Sequence, residues 1–476
     1  MYMRPPKVTK KIAVSNLKTR VSVVIFWILI LGIGYVFYFS FNMFPVIAGY
    51  GAKNLCSCVY LQGRSEQEVI DQELGTILGK LGSFTLNRED SSATGRVLFF
   101  SKKKAIYRKG LGCTLVNGLS EEELRAQPYN GKGASYYNQD TVVWPTGNLL
   151  PDTFPVGVNQ EQLLDIVNAE FTEKNPEAPI NTRALLVVYN GFLVAEKYSE
   201  GFMATTPQMG WSMTKSITNA LIGILVRQGN LKVEDAAPVE AWRSDDRKKI
   251  SLNDLLHASS GLEWTEIYSR PSDATEMLFN SKDAAHFAMS KKAVHPPNEK
   301  FYYSSGTTNI LMRIIREKTG EAQYHRFPYL KLFNKVGMHS AIIELDPSGT
   351  FVGSSFSYAT ARDWARFGLL YLNDGVWNGE RILPEGWVQY TATPAPPAKK
   401  GEYGAQWWLN AGATDNPANR NYPDLPTDIF LADGFEGQFV FVVPSKKLIV
   451  VRLGLSQKAL PDMNRLVADI IRTLPN

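Results

Sequence analysis

The chain of 476 residues has few side chains that bind metals or form disulfides, with only five histidines and three cysteines. The histidines show no paired spacing typical of a zinc site, which argues against a metallohydrolase. A Ser-His-Asp hydrolase is also disfavoured, because no serine in a Gly-x-Ser-x-Gly turn is followed by an acid and then a histidine. The sequence therefore predicts neither a metal site nor a cofactor.

The body of the chain also lacks any excess of positive charge. The formal net charge is +5, but residues 1–20 carry six basic residues and no acidic one. Beyond position 20 there are 45 basic and 46 acidic residues, a net charge of −1. Without a basic stripe in the body, we expect no nucleic-acid partner.

Charged residues are absent from residues 21–45, and residues 21–41 are almost entirely apolar or aromatic. A helix of this length crosses a bilayer. The preceding cations predict a cytoplasmic tail and a body on the extracytoplasmic side, periplasmic or extracellular. A cleaved signal peptide ending near residues 46–48 is the main alternative, and a buried soluble helix is another. The apolar run exceeds a usual signal core, which favours an uncleaved single-pass anchor.

The three cysteines, Cys56, Cys58 and Cys113, all follow this segment, on the side where disulfides persist. Cys56 and Cys58 are too close in sequence to bridge each other comfortably. Either of them could pair with Cys113 and leave an odd thiol. Three reduced, buried cysteines are the alternative.

The feature with the clearest chemical meaning is Ser212 followed three residues later by Lys215. On a helix these positions share one face, so a neutral lysine can take the serine proton. The same spacing occurs at Ser15 in the basic tail and at Ser101 in a lysine run. Only the third occurrence opens an apolar helical segment, residues 217–225, where burial would lower the lysine pKa. A serine that only caps the helix, with its lysine in water, is the alternative.

The pattern of the remaining chain predicts an α+β fold. Hairpins are expected at residues 184–197, around an Asn-Gly turn, and at 439–453. Helices are expected at 66–81, 160–174 and 463–473, and strand at 96–108. We predict one antiparallel sheet assembled from distant segments and flanked by terminal helices, plus a helical subdomain. The expected divisions are a tail (1–20), an anchor (21–45), a membrane-proximal region (46–153) and a hydrolase domain (154–476).

Four segments resemble motifs of the serine β-lactamase and penicillin-binding-protein superfamily, in the same order along the chain. These are residues 210–216, 250–262, 301–306 and 361–368. The resemblance spans roughly residues 155–475 and is closest to the class C-like esterases and the 6-aminohexanoate-dimer hydrolase branch. Together the segments are far more specific than any one motif.

The resemblance implies a role for each matching residue. Ser212 would attack the substrate carbonyl, and Lys215 would accept its proton. Tyr303 would share in that transfer and protonate the leaving group. Tyr302 is the alternative register, as a second tyrosine of the same motif.

The resemblance also implies substrate-binding residues. Ser305 takes the position of the asparagine in the Tyr-x-Asn motif of the family. A further family motif, Lys-Thr-Gly or His-x-Gly, is matched loosely within residues 431–438, with Gly434 at its last position. Phe435 would add an oxyanion amide to that of Ser212. Ala432 stands where the family carries a cation, which disfavours recognition of a penicillin carboxylate.

The sequence thus predicts a membrane-anchored serine hydrolase acting on a small ester, amide or peptide. The alternatives are an inactive binding protein on the same fold and a penicillin-binding or β-lactamase activity. With the resemblance, the preferred disulfide is Cys56–Cys113. Four aromatic residues are candidates to line an apolar cleft: Trp264, Tyr268, Trp407 and Trp408. For Trp407 and Trp408, packing in the core is the alternative.

Overall fold

The computed structural model describes residues 11–76, 79–129, 131 and 137–475; the first half of the predicted basic tail, residues 1–10, lies outside them. The α-helices are, in chain order, α1 (Lys11–Gln62), α2 (Glu66–Gln72), α3 (Glu121–Ala126), α4 (Gln160–Ala169), α5 (Thr214–Arg227), α6 (Leu252–Leu256), α7 (Asp273–Phe279), α8 (Ala284–Met289), α9 (Ser305–Thr319), α10 (Glu321–Tyr324), α11 (Asn334–Val336), α12 (Ala361–Leu372), α13 (Trp387–Thr391) and α14 (Met463–Arg472). The strands are β1 (Gly82–Asn87), β2 (Ser92–Val97), β3 (Ser101–Arg108), β4 (Gly112–Leu115), β5 (Thr182–Tyr189), β6 (Phe192–Tyr198), β7 (Gln208–Met209), β8 (Ile342–Ile343), β9 (Ser357–Ala359), β10 (Val376–Trp377), β11 (Glu380–Arg381), β12 (Trp408–Leu409), β13 (Phe430–Gly434), β14 (Gln438–Val443) and β15 (Leu448–Gly454).

The central sheet is antiparallel and has the strand order β12-β13-β14-β15-β5-β6. Both predicted hairpins are confirmed, as β5–β6 and β14–β15. The β5–β6 turn uses Asn190 and Gly191 at positive φ, 49° and 83°, which matches the twist of the flanking strands. Strand β15 pairs with β5, with Val450 opposite Val187, so distant segments form one sheet as predicted.

The central sheet is covered on both faces. Helices α4 and α14 bury Leu163, Val167, Leu466 and Ile470 against one face, which confirms the predicted terminal helices. Helix α12 packs on β14, β15 and β5 and covers the opposite face of the sheet. Its Gly368 leaves room for the side chain of Ile449 on β15. The intervening helices, including α5 to α9, form the helical part beside the sheet.

The N-terminal region is built around the long helix α1. Its segment Arg20–Gln62 is long and apolar enough to cross a membrane, and its most apolar window is wholly exposed, with a mean hydropathy of 2.4. From Met43 onward the same helix is buried, and the β1–β4 sheet packs against it. A Cβ on Gly95 of β2 would lie 2.1 Å from the Ala48 carbonyl oxygen, so only glycine fits this contact.

The buried end of α1 is tied to the rest of the chain by covalent and ionic contacts. The Cys56–Cys113 disulfide is confirmed, with Cα atoms 6.1 Å apart, and it closes 57 residues of sequence. Cys58 is free and buried, and burial raises the pKa of its thiol to about 12, which makes it unreactive. Lys53 forms a buried ion pair with Glu344, whose carboxylate also accepts the Cys113 backbone N–H at 2.6 Å.

Three predicted elements differ from the structure. The strand expected over residues 96–108 is two strands, β2 and β3, with a turn between Val97 and Ser101. The helix expected over 66–81 ends at Gln72, because Glu73 turns inward to ion pairs with Arg64 and Arg183. The helix expected over 160–174 ends at 169.

Candidate active site

Ser212 lies in a 3-10 turn, Trp211–Met213, that leads directly into α5. Trp211 has a φ of 47°, a left-handed conformation that costs a non-glycine residue about 1–2 kcal/mol. Its carbonyl accepts the Thr214 hydroxyl at 2.6 Å, and its ring packs against Tyr50 and Phe435 at 6.3 and 5.6 Å. These contacts hold a strained turn at the position of the predicted nucleophile, a common arrangement in active sites.

Lys215 is 2 % exposed and makes three hydrogen bonds. Its Nζ lies 3.1 Å from Ser212 Oγ, 3.0 Å from Ser305 Oγ and 3.0 Å from the Ser354 carbonyl oxygen. A charged ammonium donates to all three acceptors. A neutral amine has two donors and a lone pair, and Ser354 O can only accept. If Ser305 also accepts, the lone pair is left for the Ser212 hydroxyl, which is the geometry of a general base.

Glu266 determines which way the Ser305 hydroxyl points. Ser305 Oγ donates to Glu266 Oε1 at 2.5 Å, and the Ser305 backbone N–H donates to Oε2 at 2.9 Å. Since its proton goes to the carboxylate, the Ser305 hydroxyl accepts from Lys215. A continuous chain of hydrogen bonds thus runs from Glu266 through Ser305 and Lys215 to Ser212.

The pKa values of the two proton-transfer candidates shift in opposite directions. Burial lowers the pKa of Lys215 to about 8, although the Glu266 carboxylate acts to raise it. Burial raises the pKa of Tyr303 well above its usual range, although a hydrogen bond with Ser212 acts to lower it. Near neutral pH the lysine is therefore the group able to accept a proton, and the phenol is a proton donor.

Tyr303, and not Tyr302, lies beside Lys215. The Tyr303 ring centroid is 4.7 Å from Lys215 Nζ, and the ring stacks on Trp408 at 5.1 Å. Tyr403 contacts it edge-on at 5.8 Å. Tyr302 is 41 % exposed. The catalytic roles of Ser212, Lys215 and Tyr303 remain predictions, but their side chains form one cluster.

The end of β13 lies against the turn that carries Ser212. A Cβ on Gly434 would lie 2.2 Å from the Gly210 carbonyl oxygen, so no other residue fits there without movement. Phe435 follows at the tip of the β13–β14 turn, with its ring 5.5 Å from that of Tyr268. Gly434 and Phe435 are thus next to the turn that carries Ser212. Their roles in substrate binding stay predictions.

Ser305 occupies a different environment from Gly434 and Phe435. It is fully buried at the first turn of α9, and its hydroxyl bonds to Lys215 and Glu266. Its position suits holding Lys215 in place, and a direct contact with substrate stays a prediction.

Glu266 is the residue that sequence reasoning missed. Trp264 Nε1 and the Tyr268 hydroxyl also donate to its carboxylate, at 2.5 and 2.6 Å. The segment around Glu266 has no helical or strand periodicity. Its only sequence signal of a functional site is the aromatic residue two positions away on each side. Of the four cleft candidates, Tyr268 and Trp408 contact site residues, whereas Trp407 is fully buried against Phe367 and Tyr371.

Within the described residues, no group of three His, Cys, Asp or Glu side chains is placed to hold a metal ion. His257, a buried histidine of the second motif, packs edge-on against Tyr390 at 5.3 Å. Burial lowers the pKa of His257 to about 4, so its ring is neutral at ordinary pH.

A sequence model of the Beta-lactamase family matches residues 171–471, which include the whole central sheet and the cluster around Ser212. The chain belongs to this family. Family membership agrees with the resemblance of the four motifs and places the protein in the serine hydrolase superfamily that includes β-lactamases, esterases and penicillin-binding proteins.

Individual relatives support the same assignment. The chain is 24 % identical over 301 residues to a 6-aminohexanoate-dimer hydrolase of Paenarthrobacter ureafaciens, covering 57 % of this chain and 72 % of that protein. A solved structure described as a 6-aminohexanoate-dimer hydrolase from Bacillus anthracis has a TM-score of 0.54 at 22 % identity, covering 71 % of this chain and 90 % of that one. EstCE1, a hydrolase with promiscuous acyltransferase activity, has a TM-score of 0.53 at 13 % identity, with coverages of 66 % and 99 %. The two solved structures show a shared fold.

Proposed function

We propose that the protein is a membrane-anchored serine hydrolase that cleaves an ester or amide bond through an acyl-enzyme on Ser212. The observation that supports this most strongly is the hydrogen bonding of Lys215, which leaves the lone pair of its neutral amine for the Ser212 hydroxyl. Ser212 Oγ forms a bond to the carbonyl carbon while its proton passes to Lys215. The bond to the leaving oxygen or nitrogen then breaks, and that atom takes a proton from Tyr303. The proton held by Lys215 passes to the resulting phenolate, so both groups return to their starting states.

Deacylation reverses these roles with water in place of the alcohol or amine. Water attacks the acyl carbon, and its proton passes to the same basic groups. Ser212 then regains its hydroxyl proton as the acid is released. The backbone N–H groups of Ser212 and Phe435 are the candidates to stabilise the oxyanion in both steps.

The surroundings of the site favour a small substrate with an apolar acyl group. Tyr268, Trp408 and Phe435 supply aromatic surface beside Ser212. Ala432, buried on β13, provides no cation for a substrate carboxylate. We therefore favour an esterase or amidase over an enzyme that acts on penicillins.

The test is acylation of the purified full-length chain by p-nitrophenyl esters, a short amide and a penicillin, read by mass spectrometry of the Ser212 peptide. We expect an ester-derived acyl group on Ser212. Ser212→Ala should remain unmodified and inactive while still folded. Lys215→Ala should lose nearly as much activity, and the double variant should lose little more, because the two residues act as a unit.

Ser216→Ala is a matched control, since this buried serine lies one turn further along α5 and bonds to the Gln406 carbonyl at 2.9 Å. It should keep its activity. Turnover of esters by Ser212→Ala would refute the mechanism. Absence of any acylation would favour an inactive binding protein on this fold, and acylation by penicillin alone would favour a penicillin-binding or β-lactamase activity.

We further propose that α1 is an uncleaved anchor, with residues 1–20 in the cytoplasm and the division into 21–45, 46–153 and 154–476 as predicted. The helix continues without interruption from its exposed apolar part into the protein core. Cleavage near residue 48 would remove Met43, Val46, Ile47 and Ala48, which are all buried. Protease added to intact cells should digest the body, and full protection of the body would contradict this orientation.

A further inference from the structure

The turn between β2 and β3 carries three large apolar residues that the described fold leaves exposed. Leu98, Phe99 and Phe100 are 58 %, 102 % and 72 % exposed. Tight turns usually contain Gly, Asn or Asp, and Leu98 has a φ of 50°, which costs a non-glycine residue about 1–2 kcal/mol. Turns usually prefer polar, flexible residues, and this one departs from that preference although its apolar side chains are not packed in the protein. Such an exposed apolar turn points to a binding role.

This turn lies beside the predicted anchor helix. The Phe100 ring is 6.4 Å from that of Phe44 on α1. An open apolar groove separates the two elements, lined by Leu98 and Phe100 on one side and by α1 residues 28–44 on the other. Since Gly95 contacts Ala48 and Phe100 faces Phe44, β2 runs back along the helix towards the end that emerges from the membrane.

The position along α1 gives the depth of the turn. About 20 helical residues cross the hydrocarbon core, so a span that begins at Val21 ends near Ser40. Phe44 is one helical turn beyond, about 6 Å at a rise of about 1.5 Å per residue. The polar interface of a bilayer is of similar thickness on each side. Phe44, and with it the Phe100 ring, therefore lies within the headgroup layer, with the acyl chains one helical turn away.

Exposed cations lie directly behind the apolar turn. Arg96 and Lys102 are opposite each other in the β2–β3 register, and both are exposed, as is Lys80 just before β1. Like charges across a strand pair are unfavourable unless an anion neutralises them. In contrast, Lys104 already forms ion pairs with Asp90 and Glu121 of the protein itself. Apolar residues in front of cations are the arrangement of a segment that binds an anionic membrane surface.

We propose that Leu98, Phe99 and Phe100 insert into the extracytoplasmic leaflet of the membrane that α1 spans, with Arg96 and Lys102 at its anionic headgroups. The proposal rests on the anchor proposed above. A bilayer fits better than a protein partner, because the turn lies against the spanning helix at the level where lipid must surround it. A helix and a hairpin inserted together fix the tilt and rotation of the catalytic domain relative to the membrane.

The test uses the full chain in nanodiscs of phosphatidylcholine and phosphatidylglycerol, with an environment-sensitive NBD dye on a single introduced cysteine. Phe99→Cys places the dye at the turn. Glu89→Cys is the matched control, at the exposed turn at the other end of the same sheet. Leu31→Cys reports insertion of the anchor. Unmodified protein gives the background, since Cys58 is buried and the other cysteines are paired.

We expect the dye at position 99 to emit at shorter wavelength than at position 89 and to be quenched about twofold or more by lipids with a shallow nitroxide. Equal emission and equal shallow quenching at positions 99 and 89, with strong quenching at position 31 by lipids with a deep nitroxide, would overturn the hairpin proposal and leave the anchor standing. Lack of quenching at position 31 by the deep nitroxide would overturn the anchor and the hairpin proposal with it.

Discussion

The pH dependence of acylation follows from the environment of Lys215. The amine must be neutral to accept the Ser212 proton, and its pKa is lowered by burial to about 8. The rate constant kcat/KM should therefore rise with pH through about 8 and level off above it. At pH 7 about a tenth of the lysine is neutral, so kcat/KM should be about a tenth of its plateau.

Glu266→Gln tests the source of this midpoint. The carboxylate raises the lysine pKa, and the two hydrogen bonds through Ser305 Oγ, 3.0 and 2.5 Å, place the two charges within about 5.5 Å. At an effective dielectric constant of about 20 and this separation their attraction is roughly 3 kcal/mol, which corresponds to about two pH units. Removing the charge should move the midpoint of the profile to lower pH by an amount of that order.

The plateau rate of Glu266→Gln should also fall. The oxygen of the new amide still accepts from the Ser305 backbone N–H and from Trp264 Nε1, but its NH2 group faces the hydroxyls of Ser305 and Tyr268. Both hydroxyls donate to the native carboxylate. Ser305 would then hold Lys215 less firmly. A shift in midpoint together with a lower plateau distinguishes a positioning residue from one that only supports the fold, which would lower the amount of active enzyme and leave the midpoint unchanged.

The assay is kcat/KM for a p-nitrophenyl ester from about pH 5 to about pH 10, a range that covers the native midpoint and the lower one expected for the variant. Glu263→Gln is the control, because it removes an exposed carboxylate from the same segment. It should leave the profile unchanged. An unchanged or higher midpoint in Glu266→Gln would refute the reasoning, as would native activity that falls with pH through 8.

Three further outcomes are expected. Tyr303→Phe should slow hydrolysis of alkyl esters or amides far more than that of p-nitrophenyl esters, whose leaving group needs no proton; equal losses would contradict its role as the acid. Lys53→Met should lower the free energy of unfolding by about 3–5 kcal/mol by leaving Glu344 buried and uncompensated, and Glu344→Gln in the same chain should restore part of it. Cys113→Ser should lower the free energy of unfolding by up to about 4 kcal/mol, because it removes the disulfide to Cys56 that closes 57 residues of sequence. Urea unfolding measures this loss, with the reduced native protein as the comparison.

Much of the fold was predictable because its signals are local. The β5–β6 hairpin has apolar strands around an Asn-Gly turn, and α14 shows strong 3.6-residue periodicity. The segment after Ser212 is mostly apolar from Ile217 to Leu225, which predicts its burial. Clustering of Ser212, Lys215 and Tyr303 came instead from the resemblance, since no local rule brings residue 303 to residue 212.

Glu266 could not be found from the sequence. It is one of 46 acidic residues and lies in an irregular segment. Its effect comes from contacts with Ser305, 39 residues later, and through it with Lys215. Only the tertiary fold distinguishes this carboxylate from the exposed Glu263 nearby.

The β2–β3 turn was missed for the opposite reason, because its local signal is misleading. Val97, Leu98, Phe99 and Phe100 are β-favouring residues without Gly, Pro or Asn, so the sequence predicts a strand that continues to Arg108. The chain nevertheless reverses at Leu98 with a positive φ. Packing of β2 and β3 on α1 overrides the local preference, and a disagreement of this kind is a reason to look for a ligand at the turn.

If α1 spans the membrane, the position of the Ser212 cluster relative to it follows from the contacts of α1. Tyr50, Lys53 and Cys56 are spaced three residues apart, so together they cover about 120° of the helix surface. Tyr50 stacks on Trp211 beside Ser212, Lys53 pairs with Glu344, and Cys56 bonds to β4. A helix held by stacking, an ion pair and a disulfide cannot swivel independently of the residues it contacts. If α1 spans the membrane, Ser212 is held at a fixed height above the bilayer, so the accessible substrates are those that reach that height.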